Sequence, residues 1–196
     1  MSGGSSMFFW ILSRAAGTTA MVLASAAVGV GLVMGGKMVK GGGADRRSLH
    51  EILSLSTMVA LAVHGLTLRG DSWLHPDVPD VTLPFFASYK TLYTSIGIVA
   101  AWGLIILGLS YYARRRIGIT RWKSIHRLTA VAWLLGLIHT FAEGTDAGKL
   151  WFIALIGLTA APALALLIVR HWPRSTDGVR SKAGATGRRL GAAEAS

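Results

Sequence analysis

The chain has 196 residues, 52% of them hydrophobic and only 15% charged, with a net charge of +11. A soluble domain carries closer to a quarter charged residues, so this composition points to a small integral membrane protein with no separate soluble catalytic domain. It contains no cysteine, which excludes disulfides, thiolate metal sites and iron–sulfur clusters and leaves any redox chemistry to a cofactor held by histidine or by packing.

Five apolar stretches reach the roughly 20 residues needed to cross a bilayer as helix. They lie at about 7–34, 48–68, 91–112, 123–142 and 150–170 and predict an all-α bundle of five transmembrane helices. Residues 1–6 (MSGGSS) are expected to be a flexible start. The first stretch carries Arg14 near its beginning, then Gly17, Gly29 and Gly31. Small residues like these let a helix or a flat ligand approach the backbone. Ala24, Ser25 and Ala26 imitate a signal-peptide cleavage site, yet no basic residue precedes the apolar run, so a retained helix is expected.

A glycine-rich basic turn occupies 35–47, and Ser48 is the expected N-cap of the second helix. The connection from about 69 to 90 holds Pro76, Pro79 and Pro84, and its WLHPD and LPFF pieces read as interfacial. The third helix ends in Tyr111 and Tyr112, residues suited to a membrane boundary. Pro162 is expected to kink the fifth helix. The transmembrane unit is taken as 7–171, and 172–196 as a basic, disordered cytoplasmic tail.

The positive charge is one-sided. If the segments alternate across a membrane, 16 of the 20 basic residues follow the first helix, surround the third-to-fourth turn or follow the fifth. The other side holds only Arg14, Arg69, Lys90 and Lys149. The positive-inside rule then puts the N-terminus outside and the C-terminus in the cytoplasm of a bacterial-type plasma membrane. A nucleic-acid partner is not expected.

Four histidines lie inside apolar segments: His50 and His64 on the second, His126 and His139 on the fourth. Ionisable groups at that depth are costly and usually functional, and imidazole is a standard axial ligand of haem iron. His50 and His64 are 14 residues apart, which is about 21 Å of rise and close to four turns, so both rings share one face. The second and fourth helices run in the same direction. The natural pairs are His50 with His126 at the inner side and His64 with His139 at the outer side, each able to hold one haem between facing helices. His126 and His139 are only 13 residues apart, leaving an ideal helix about 140° out of register. Helix four is therefore overwound or tilted, for instance near Gly136, or the two haems present different edges to it.

These spacings on alternate helices resemble the ferric reductase-like transmembrane family, which takes in NADPH oxidases, eukaryotic ferric reductases and stand-alone bacterial haem membrane subunits. SRAAGTTAMVL is similar to that family's first-helix Arg-x-x-Gly pattern, HRLTAVAWLLGLIH to its fourth-helix histidine pair, and LPFFASY to the loop before its third core helix. The resemblance covers most of 7–170 and implies a b-type dihaem core, with His50, His64, His126 and His139 as iron ligands, moving electrons across the membrane. The oxidases and eukaryotic reductases append a flavin and nicotinamide module. Here only 26 residues follow Arg170, without a G-x-G-x-x-G pattern. Electrons are then expected from quinol in the bilayer or from a separate flavoprotein or reductase.

Arg14 and Arg69 are candidate partners of outer-haem propionates, and Trp133 is a candidate bridge between the haems. Arg46, Arg47, Lys123 and Arg127 are better explained by topology, and Thr57 by a bond to its own helix backbone. His75, with Asp77 and Asp80, and His171 read as solvated or interfacial. The leading expectation is a dihaem b-type cytochrome, an oxidoreductase of ferric reductase-like type. The alternatives are a haem-bearing anchor that feeds electrons to a partner enzyme, and a haem-free small carrier. A carrier needs a polar lining, and apart from Glu51 these apolar segments hold no acid.

Overall fold

The computed structural model describes residues 3–36, 41–71 and 75–171. The expected tail 172–196, residues 1–2 and Trp73 of the WLHPD piece lie outside these. Among the described residues the chain is all helical, and five helices are long and apolar enough to cross a membrane.

α1 runs Gly3–Gly36. Residues 3–6, expected to be flexible, instead form its first turn, because extending an existing helix is far cheaper than nucleating one. α2 runs Gly43–Leu68, so it starts five residues before Ser48. The turn into it is made by Gly41 and Gly42, at φ +79° and +56°, backbone angles that glycine alone adopts without steric cost. Asp45 then sits in the first turn, where a carboxylate complements the helix dipole.

α3 (Val78–Thr82) is a short piece in the long connection, closed by a capping box in which the Asp77 N–H donates to Asp80 at 2.8 Å. Asp77 and Asp80 therefore cap a helix, while His75 beside them is exposed. The Trp102 indole N–H ties α3 down by donating to the Thr82 carbonyl at 2.9 Å. α4 (Thr91–Leu109) stops short of the expected Tyr112. The N–H groups of Tyr111 to Arg114 make i→i−3 bonds that lead into α5 (Arg114–Ile117) and, past Gly118, to α6 (Ile119–His126). α7 (Thr129–Glu143) and α8 (Leu150–His171) complete the chain, and α8 continues through Pro162.

The fourth span is thus two helices. Between them the Leu128 N–H donates to Ile125 at 2.9 Å and the Ala130 N–H to Arg127 at 3.2 Å, both i→i−3 bonds. A 3₁₀ turn advances about 120° and 2.0 Å per residue, against about 100° and 1.5 Å in an α-helix. Both differences push 13 residues toward what 14 achieve elsewhere. The overwinding lies at Arg127–Leu128, directly after His126, and not at Gly136.

α2 packs along α1, and α7 along α4; α1 joins the two pairs by packing on α7 and α8. α2 and α4 meet only briefly, and α2 and α7 share no extended contact. The core sits at the α1–α7–α8 junction, around Met21, Ala24, Trp133, Leu137, Phe152, Ile156, Ala160 and Ala163. In lipid there is no hydrophobic drive between helices, so close approach over small residues must supply it. The buried alanines Ala16, Ala20, Ala24 and Ala27 of α1 and Ala160 and Ala163 of α8 provide that. Leu66, Ile106 and Leu158 project outward instead.

Trp133 is fully buried in this core, and its indole N–H donates to Ser25 at 3.0 Å. It stands at the depth expected between the histidine pairs, but its surroundings are helix–helix packing on α1 and α8. Trp133→Ala is expected to lower stability by about 3 kcal/mol or more, read as a drop in melting temperature in detergent.

Candidate functional site

The bundle brings the four histidines together as expected, in two pairs. At the basic end, the His50 and His126 ring centroids are 6.2 Å apart with planes at 87°. At the far end, His64 of α2 and His139 of α7 are each turned to a neighbouring helix, to α1 and α4 respectively.

All four rings are held by one device. The Nδ1–H of His50 donates to the Ala27 carbonyl at 2.9 Å, and that of His64 to Ser13 at 2.9 Å. Across the bundle, His126 donates to Leu107 at 3.2 Å and His139 to Tyr93 at 2.9 Å. Ser13, Ala27 and Tyr93 lie inside regular helix and offer the imidazole a second lone pair of the carbonyl. The Leu107 carbonyl, in the last turn of α4, also accepts from the Ser110 hydroxyl at 2.6 Å. Ser13 and Ala27 are 14 residues apart on α1, and Tyr93 and Leu107 are 14 apart on α4. The irregular 13-residue interval of the fourth span is therefore served by a regular 14-residue ladder on α4.

Glycine makes that reach possible. A Cβ at Gly17 would lie 3.0 Å from His64 Nδ1, and one at Gly31 3.1 Å from His50 Cε1. One at Gly97 would overlap the His139 ring. In all three cases the glycine sits one turn after the accepting carbonyl, so the ring slides over bare backbone to it. His126 has no such glycine. Its ring is braced by Trp122, stacked at 4.9 Å and 26°, whose indole N–H donates to Ser110 at 3.0 Å.

A histidine that spends Nδ1–H on a carbonyl has its tautomer fixed with Nε2 bare, the state a metal ligand requires. Among the described residues no group of three or more His, Cys, Asp or Glu could hold a bare ion. A histidine pair suits a metal whose remaining ligands come from a macrocycle. Two metal–imidazole bonds of about 2 Å each, plus the ring radii, separate the centroids of two axial imidazoles by about 6 Å. The His50–His126 spacing of 6.2 Å fits.

The remaining candidates are accounted for differently. Arg14 is ion-paired with Asp146 and lies over the Trp10 ring at 4.1 Å, so its first partner is a protein carboxylate. Arg69 is exposed at the C-cap of α2. Thr57 is buried and donates to the Leu53 carbonyl at 2.8 Å, the backbone bond expected of it. Beside His50, Glu51 accepts from the Tyr112 hydroxyl at 2.7 Å, which raises the Tyr112 pKa above its usual value. His171 is exposed and bonds its own helix at Leu167.

Sequence reasoning missed the four carbonyls, Gly97, Trp122 and Glu143. The carbonyls carry no side-chain signal, but the 14-residue interval from Gly17 to Gly31 repeats that of His50 to His64. No family model and no solved structure matches the chain.

Proposed function

We propose that the protein is a dihaem b-type membrane cytochrome of ferric reductase-like type, a transmembrane electron carrier. One observation carries this reading: each of four imidazoles in the apolar spans is fixed through Nδ1 to a neighbouring helix, and His50 of α2 meets His126 of α6. His50 with His126 would hold one haem and His64 with His139 the other. Bound haem would supply one-electron chemistry at iron. The helices set ligand tautomer and orientation and exclude water, which tunes the potential. On the charge distribution, the basic end faces the cytoplasm and the His64–His139 pair lies toward the outside.

Quinol in the bilayer or a soluble flavoprotein would donate the electrons. The second possibility has its own support. Arg115, Arg116, Arg121, Lys123 and Arg127 are exposed around α5 and α6, and none forms an ion pair among the described residues. Such a surface steers an acidic soluble partner toward the basic end, and favours a role as the haem subunit of a two-component reductase.

The test is a dithionite-reduced minus oxidised spectrum of protein made with ample haem, with extracted haem counted per chain. About two b haems per chain are expected. One would leave a histidine pair without a function, and none would end the redox reading.

A further inference from the structure

α7 extends to Glu143, one turn beyond His139 on the same helix face. Side chains at this spacing have their Cβ atoms about 6 Å apart. This places an acid at the end of the fourth candidate span, one turn from His139.

The two oxygens of Glu143 differ. Oε2 lies 3.8 Å from the Lys90 ammonium, which spends a hydrogen bond of 2.7 Å on the Ala142 carbonyl. Oε1 is buried and has no hydrogen-bond partner among the described residues. The other charged groups nearby are engaged elsewhere: Arg14 of α1 and Lys149 both pair with Asp146 in the loop after α7. From α4, Tyr93 presents its carbonyl to His139, and from α2, His64 binds Ser13. Lys90 is thus the one cation in contact with this carboxylate. At the basic end the equivalent acid, Glu51, has a hydroxyl donor in Tyr112 and needs no proton to satisfy it.

We propose that Glu143 is the proton-binding site of the far-end pair, taking a proton at Oε1 when an electron is added beside His139 and releasing it when the electron leaves. An added electron raises the negative charge close to a carboxylate that one ammonium, 3.8 Å from Oε2 and hydrogen-bonded elsewhere, only partly offsets. In a medium of low dielectric a proton is the cheapest compensation. The side chain is 12% exposed, so the proton can come from water at that end. The inference rests on the dihaem reading.

The experiment is a redox titration of the purified, haem-loaded protein at a series of pH values, with a mediator supplying electrons and buffer supplying protons. The far-end haem is identified as the component lost in His64→Ala. Its midpoint potential is expected to fall as pH rises, while that of the other haem stays flat. In Glu143→Gln the slope should vanish, with the potential above wild type at alkaline pH because a negative charge is gone. Lys90→Met keeps the acid and removes its cation, so the sloping window should move to higher pH. This variant decides the matter if Glu143→Gln does not fold. A flat far-end potential in the wild type, or an unchanged slope in Glu143→Gln, overturns the inference and leaves the dihaem reading intact. Protein that binds no haem overturns both.

Discussion

His139→Ala is expected to halve the haem content of the purified protein, leaving one b haem per chain with an undisturbed spectrum. The His139 ring is fixed to the Tyr93 carbonyl and lies against Gly97. The remaining pair lies about 20 Å away along the helices, on different carbonyls and a different brace, so it should keep its haem. His64→Ala should behave identically. His50→Ala and His126→Ala should each remove the other haem. Pyridine haemochrome counts on the four variants check the pairing directly. Loss of both haems, or of neither, from any one of them would show the pairs to be wrongly drawn.

Gly97→Ala is expected to cost nearly as much by adding a single methyl group. Inside a helix alanine is normally better than glycine by roughly 1 kcal/mol. At Gly97 the new Cβ would occupy the place of the His139 ring, and overpacking of this kind costs about 1–3 kcal/mol. The ring must leave its carbonyl, so the far-end haem should be lost or bound weakly and the melting temperature in detergent should fall. Gly65→Ala and Gly157→Ala are the controls, since nothing lies within 4 Å of a Cβ at either position. They should be neutral or slightly stabilising with both haems retained. A Gly97→Ala protein with full haem content would show that the close approach of α4 to His139 is dispensable.

The candidate spans and the histidine intervals were legible because apolar length and helical periodicity are written in local composition. A run of 20 apolar residues has few alternatives, and a 14-residue interval puts two side chains on one helix face whatever surrounds them. Helix ends were read less well. Ser48 looked like a cap by residue type, but Gly41 and Gly42 make the turn earlier. The third helix stopped before Tyr111 because i→i−3 bonds replaced its last turn. Both outcomes depend on which backbone bonds the neighbouring turn can complete.

The site shows the same division. Gly17 and Gly31 stood out as small residues, and their use could be guessed only once α1 lay antiparallel to α2 with His64 and His50 against them. Trp133 had the right depth for a bridge, and depth does not specify which neighbour a side chain faces. Packing turned it into the α1–α8 core with Ser25 as its partner. Arg14 was read as a propionate ligand, and the fold brings Asp146 to it from 132 residues away.

By itself the sequence determined that this is a helical protein with five candidate membrane spans, and that four imidazoles share two depths on two co-directional helices. Those facts follow from residue type and helical rise alone. Only the tertiary structure decided where the fourth span overwinds, which carbonyls hold each imidazole and which nitrogen is left free. It also decided that Glu143 keeps one buried oxygen without a donor. The reason is physical: periodicity sets the direction of a side chain from its own helix, whereas hydrogen bonds and close contacts depend on the helix opposite.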